Sequence, residues 1–349
     1  MQRTTSTRAA PVAMTEATSI SPAPSVRRRA RFRYAEYAGM LAVLALLILF
    51  FSLQTDHFFS RLTFTTLGNQ IPSLTVIAVG MTFVLIVAGI DLSVGSVLAL
   101  SAGVLGVSLV QWEWPLATSA SACLLVGLAA GFVNGFVTTR WAVPSFIVTL
   151  GMLEAARGGA YLVTDSQSLY IGTPVAPIGA PVEGIGLSPA FFIAVAVVVI
   201  GQIVLTRTVF GRYMIATGTN EEAVRLSGID PRPIKLAVFA VTGFLAGLGG
   251  LFHVAYLESA DPNAGIGMEL SVIAAVVIGG TSLMGGRGSV INSFLGVLII
   301  AVLQAGLAQM GATEPVKRVV TGAVIVVAVI ADVYRHRLSG RAFKIRRSP

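Results

Sequence analysis

The sequence predicts an all-α protein, a polytopic membrane helix bundle of about ten transmembrane helices with both termini cytoplasmic. Three observations lead there. Of 349 residues, 55% are hydrophobic and only 11% charged, where a soluble domain carries roughly 25% charged residues. With 24 basic and 16 acidic residues, the chain cannot coat a water-soluble surface. The apolar residues fall in long runs, and the basic residues gather at the ends and in one internal loop. Soluble enzymes, disordered tail proteins and disulfide scaffolds are excluded; the single Cys123 permits no internal disulfide and no cysteine-based zinc site. It sits in an apolar run, as a buried small hydrophobe does.

A hydrocarbon core about 30 Å thick requires about 20 helical residues. Apolar stretches of that kind lie at 37–53, 71–90, 93–110, 115–138, 145–163, 188–205, 234–256, 270–284, 288–310 and 316–334. Those at 71–110 and 270–310 are nearly continuous, interrupted by the glycine-rich strings GIDLSVG and GGTSLMGGRG. Each reads either as two spans or as one span plus a re-entrant piece, because irregular backbone at such depth is tolerated only where protein satisfies it.

Orientation follows the distribution of Lys and Arg. Residues 1–35 form a basic tail with Arg27, Arg28, Arg29, Arg31 and Arg33 against one acid, Glu16. Residues 335–349 form a second basic tail with Arg335, Arg337, Arg341, Lys344, Arg346 and Arg347. Both ends belong inside, so the crossings of the transmembrane domain 36–334 are even in number. Ten crossings also place Arg140, the loop 206–233 and Arg287 inside. The loops 164–187 and 257–269 then lie outside, with Asp165, Glu183, Glu258, Asp261 and Glu269 and no base. Arg61, Lys317 and Arg318 are exceptions. The N-terminal segment is read as a disordered cytoplasmic tail whose arginines meet anionic lipid, although its composition also suits an organelle transit peptide. The net charge of +8 thus indicates membrane topology and not nucleic-acid binding.

No Gly-Lys-Ser/Thr occurs, so the chain lacks a P-loop ATP site. His57, His253 and His336 are scattered, without metal-ligand spacing, and no nucleophile elbow accompanies His253. Transport remains. Ionisable residues within spans cost roughly 2.5–3.5 kcal/mol each on insertion scales and are functional candidates. Glu154 and Arg157 share one helix face, either as an intrahelical pair or with Glu154 toward a translocation path and Arg157 holding it ionised. Asp91 is expected to cap the next helix through Ser93 or Val94, a role compatible with lining a gate. Asn134, Asn292, Gln304, Thr82 and Thr149 could hydrogen-bond a hydroxylated solute or join helices. An ion-coupled secondary transporter is the alternative, but the chain of buried carboxylates expected of one is thin.

The stretch FGRYMIATGTNEEAVRLSGIDPRPIK, 210–235, is too polar to cross. Asn220 can cap a short helix with Glu221 and Glu222 in its first turn. Ala223, Val224 and Leu226 supply an apolar side, Gly228 ends the helix and Pro231 forbids its continuation. Such a helix suits docking into a groove of a soluble partner.

This loop resembles the EAA-type coupling loop of ATP-binding-cassette (ABC) importer permeases. Together with GMTFVLIVAGIDLSVGSVLAL at 80–100 and AAVVIGGTSLMGGRGSVINSFLGVLI at 274–299, it is similar to the ribose/xylose/arabinose-type monosaccharide permeases, from about residue 36 to 334. Asn220, Glu222, Ala223 and Gly228 match the coupling motif, with Glu221 a further acid beside it. Asp91, Ser93 and Gly95 match the first glycine-rich string; Gly279, Gly280, Ser282 and Gly286 match the second. The resemblance implies a bacterial inner-membrane subunit that pairs with a second permease copy or a paralogue. It also implies a separate ABC ATPase using ATP and Mg, and a periplasmic or lipid-anchored sugar-binding protein. No cofactor and no catalytic residue are expected on this chain.

Overall fold

The structure, a computed structural model, describes residues 26–324 together with 326, 327 and 330, with side chains from Tyr37 onward. The chain divides into two units after Ala38. Helix α1 (Val26–Gln54) supplies an apolar stretch of 18 residues from Tyr37. Its start lies within the expected tail 1–35, and the arginines at 27–33 are helical, as suits a residue of high helix propensity. Residues 1–25 and the tail 335–349 lie outside the described residues.

Helices α2 (Arg61–Gln70) and α3 (Pro72–Ile86) meet at Ile71 with a bend of 49°. Pro72 has no N–H to continue the ladder and instead opens α3, the position where proline is tolerated. Next come α4 (Val94–Val110), α5 (Leu116–Arg140) and α6 (Ser145–Val163). A loop with β1 (Leu169–Tyr170), a 3-10 turn (Thr173–Val175) and α7 (Ala176–Gly179) leads to α8 (Pro189–Arg207). Then follow α9 (Val209–Thr219), α10 (Glu221–Leu226), α11 (Arg232–Leu257), β2 (Ser259–Ala260), α12 (Met268–Ile278) and α13 (Val290–Gln309). Residues 314–324 are again helical.

Among the described residues the bundle is helical apart from loops and one two-residue antiparallel ladder, Leu169 opposite Ala260 and Tyr170 opposite Ser259. Among the described residues, six helices are long and apolar enough to cross a membrane, or seven with the bent pair counted as one span. That differs from the expected ten because several apolar stretches are broken. At 1.5 Å per residue α4 reaches about 25 Å and α12 only about 16 Å, since they hold 17 and 11 residues. Glycine-rich segments replace the missing turns. The expected tenth span, 316–334, lies partly outside the described residues.

Helices α3 and α11 form the centre; the fifteen residues of α3 are all apolar or small, which would be costly in water, and here nearly all of them are buried. Helices α1, α5, α6 and α8 turn large apolar side chains outward, among them Leu46, Leu53, Phe132, Leu162 and Ile200. Such a surface suits lipid. Trp112 and Trp114, ring centroids 5.0 Å apart, precede α5, and Trp141 follows it against Phe136. Aromatic residues at both ends of a 25-residue helix suit two membrane–water boundaries.

Glycines set the closest helix contact. A Cβ at Gly131 of α5 would be driven into the Phe239 carbonyl and would lie 2.8 Å from Gly243 Cα. Cys123 occupies the same α5–α11 seam, buried, its Sγ donating to the Gly247 carbonyl at 3.3 Å. Small residues allow such backbone approach where lipid offers no hydrophobic drive between helices. Gly131→Val is expected to lower the thermal unfolding midpoint in detergent strongly, since overpacking a tight core costs about 1–3 kcal/mol or more. Gly39→Val, which meets nothing within 4 Å, is expected to leave the midpoint unchanged.

Candidate functional site

Two broken segments and one short helix hold most of the residues singled out by the sequence. The first break begins where α3 closes. Ala88 adopts a left-handed φ of 57°, and the amides of Ala88 and Gly89 return to the carbonyls of Leu85 and Val84. Residues 90–92 then run extended along the start of α6. Ser145 Oγ accepts from the Ile90 amide at 2.9 Å. Thr149 Oγ1 accepts from the Leu92 amide at 3.1 Å and donates to the Ile90 carbonyl at 3.3 Å. Side-chain hydroxyls thus satisfy the backbone that helix would otherwise satisfy.

Asp91 and Ser93 are each 1% exposed, and Asn134 is fully buried. Asp91 Oδ1 accepts from the Ser93 amide at 2.9 Å and from Ser93 Oγ at 2.6 Å. Asn134 Nδ2 donates to Ser93 Oγ at 2.9 Å. The structure therefore brings Asp91, Ser93 and Asn134 together before the first turn of α4, with Ser93 itself as the N-cap residue. Gly95 follows, pressed against Gly265: a Cβ there would be driven into the Gly265 carbonyl and lie 2.6 Å from Glu269 Oε2. The beginnings of α4 and α12 thereby meet.

Glu154 and Arg157 are not a pair. Arg157 Nη1 donates to the carbonyls of Pro262 at 2.6 Å and Ala264 at 2.8 Å, while Glu154 is exposed on α6. The irregular loop before α12 lacks intrahelical donors, and a guanidinium with five N–H groups supplies them. Tyr161 joins it, its hydroxyl donating to Asn263 Oδ1 at 2.7 Å. So α6 holds the break before α4 with its first turns and the loop before α12 with its later ones.

The second break, 279–289, is a tight turn. Gly280 and Gly286 have φ of 80° and 73°, a region where a side chain is strained. Ser282 is 5% exposed; its amide donates to the Arg287 carbonyl at 3.0 Å and its Oγ accepts from the Met284 amide at 3.2 Å. Gly279 packs on α13, where a Cβ would lie 2.6 Å from the Asn292 carbonyl. Gln202 of α8 caps the start of α13, its Oε1 accepting from the amides of Val290 at 2.9 Å and Ile291 at 3.3 Å. Among the described residues no group of His, Cys, Asp and Glu is arranged for a metal ion.

The short helix α10 stands between α9 and α11. Asn220 Oδ1 accepts from the Ala223 amide at 2.9 Å, the N-cap bond. Gly228, with φ of 86°, ends the helix as the Ile229 amide returns to the Val224 carbonyl. Glu222 pairs with Arg225 at 2.6 Å, and Glu221 with Lys235 of α11 at 2.5 Å. The supposed apolar side is split: Val224 is buried against the protein and Leu226 is 80% exposed. Glu221, Arg225 and the segment 228–232 line a pocket of about 360 Å³ beneath the helix.

The pattern missed Ser145, Gln202 and Tyr161. Each is a lone polar residue in an apolar run, which is the signal that could have marked them.

A multi-pass helical bundle with broken spans and a short exposed helix between two long ones is the build of a membrane permease. Residues 63–329 match the family described as "Branched-chain amino acid transport system / permease component", and the chain belongs to that family. It is 40% identical over 296 residues to the ribose import permease protein of Haemophilus influenzae, covering 83% of this chain and 91% of that one. The ribose import permease protein of Escherichia coli K12 is 38% identical, with 85% and 93% covered. An L-arabinose ABC transporter permease protein of Azospirillum brasilense is 32% identical, with 94% and 97% covered. No solved structure matches the chain.

Ser145→Ala is expected to raise amide hydrogen exchange at Ile90 about tenfold or more, with little change at Leu92. Orphaning a buried amide costs about 1–3 kcal/mol, and mass spectrometry of the purified protein reads the exchange.

Proposed function

We propose that this chain is the membrane-spanning subunit of an ABC importer for a monosaccharide or a similar polyhydroxylated solute, acting in a bacterial cytoplasmic membrane. The observation that carries the reading is α10, a capped helix that leaves Leu226 bare to solvent. An exposed leucine flanked by the charges of Glu222 and Arg225 fits a partner groove with an apolar floor and a polar rim. That partner is a separate ATPase that binds ATP and Mg; its closure on ATP displaces Asn220, Glu221, Glu222, Ala223 and Gly228 together, and rocks the membrane helices between outward- and inward-open states. Import permeases of ribose, L-arabinose and fructose among the relatives favour this reading over an ion-coupled carrier and favour pentoses or hexoses as cargo.

The topology we propose has ten passes, some of them broken, between basic cytoplasmic tails. The ladder between β1 and β2 supports one common side for the acidic loops 164–187 and 257–269. The exceptions to the charge rule each have a local partner. Arg61 donates to the Gly184 carbonyl at 2.5 Å, and Lys317 and Arg318 pair with Glu314 at 3.3 and 3.8 Å. Within this topology 206–233 is the cytoplasmic coupling loop and the opposite face receives a solute-binding protein.

Glu154 is exposed on an apolar helix, where lipid contact would cost roughly 2.5–3.5 kcal/mol. We place it toward a second permease copy or paralogue and the wet path between them. Asp91, Ser93, Gly95 and Asn134, with Arg157 and the turn Gly279, Gly280, Ser282 and Gly286, form the gate region beside that path. Solute contacts there are weak, because the cargo must leave.

The test is co-purification of the ATPase with this chain. Leu226→Asp is expected to weaken retention about tenfold or more, as loss of a buried apolar anchor does, and Glu222→Lys to weaken it less, because Glu222 is a rim charge. Full retention by Leu226→Asp contradicts the docking role.

A further inference from the structure

Resting on the importer reading, we infer that a backbone junction between Gly218, Ile86 and Gly285–Gly286 carries the movement of α10 into both broken segments. Gly218 lies in the last turn of α9, two residues before Asn220. A Cβ on it would be driven into the Ile86 carbonyl oxygen and would lie 2.7 Å from the Gly286 amide nitrogen. That amide donates to the same Ile86 carbonyl at 2.9 Å. A Cβ on Gly285 would lie 2.7 Å from the Gly218 carbonyl and 2.8 Å from Ala88 Cβ, and one on Gly286 would lie 3.0 Å from Thr219 Cα.

Three segments therefore touch main chain to main chain: the end of α9, the end of α3 and the turn between α12 and α13. Ile86 is the last residue of α3, and the segment that contains Asp91 starts directly after it. The turn is itself closed by Ser282 N–H to Arg287 O and Gly285 N–H to Ser282 O bonds, at 3.0 and 3.2 Å. Side-chain contacts absorb a displacement by changing rotamer; packed backbones cannot, so the junction passes it on. The ion pair from α10 into the bundle, Glu221 to Lys235, has its carboxylate half exposed, and such pairs are weak and screened. The junction is stiffer than that ion pair. Its residues position the gate segments and touch no solute.

The experiment uses the full complex of this chain with its ATPase and binding protein in proteoliposomes. A mixture of radiolabelled ribose, L-arabinose and fructose is supplied, and solute accumulated per ATP hydrolysed is the readout. Gly218→Ala is expected to assemble and hydrolyse ATP while that ratio falls about tenfold, within the usual range of coupling between sites. Gly39→Ala is expected to keep it. An unchanged ratio overturns the junction, whether uptake and hydrolysis stay normal or decline in parallel. If Gly218→Ala does not assemble, Thr219→Gly decides, since it adds no atom and loosens the main chain that rests on Gly286. A lowered ratio then supports the junction and an unaltered one overturns it. Failure of the importer reading shows differently, because the unsubstituted complex would then accumulate no solute in response to ATP, which removes the junction's role as well.

Discussion

Hydrocarbon offers no water to a peptide group, so every N–H and C=O placed in it must find a partner within the protein. This constraint explains why the molecule is almost entirely helical, and it explains more sharply what surrounds the exceptions. Where α3 gives way to extended chain, Ser145 and Thr149 of α6 bond the peptide groups of Ile90 and Leu92. Where the loop before α12 has bare carbonyls, Arg157 reaches them. Where α13 begins, Gln202 meets its first amides. Side chains of other helices thus bond peptide groups in each of these irregular segments, which are shaped structures rather than slack chain.

The same arrangement joins the functional parts. Helix α6 grips both the segment that contains Asp91 and the loop near Gly265, and the starts of α4 and α12 meet at Gly95. On another side the turn 282–287 rests on the helix that leads into α10. A displacement applied at Leu226 is therefore close, through few contacts, to both broken segments. Fold and proposed function share one logic, since the breaks proposed as gates are the places where long-range bonds converge.

Much of this was legible in the sequence because it is encoded locally. Apolar length fixed most of the spans. The run Asn220 to Gly228 spells out a cap, an acidic first turn and a glycine stop, and α10 has all three. Asp91 to Ser93 is likewise a local bond. What escaped depends on partners distant in the chain. The i,i+3 spacing of Glu154 and Arg157 suggested a pair, but carbonyls more than a hundred residues away compete better for the guanidinium. Val224 and Leu226 read as one apolar side until α10 is set against its neighbours. The contact of Gly218 with Ile86 and Gly286 leaves no periodic trace at all. Composition likewise cannot show where an apolar run stops being helical, and for that reason α12 ends at Ile278 while its apolar stretch runs on to 284.

The account stands or falls on whether this chain is a conduit moved by a nucleotide-hydrolysing partner. The direct measurement is accumulation of labelled sugar in vesicles that contain the chain, with and without the ATPase and with the binding protein supplied on the opposite face. Concentrative uptake only when the ATPase and ATP are both present is the predicted result. Uptake of equal rate and extent without the ATPase, driven by an imposed proton or sodium gradient, would contradict it.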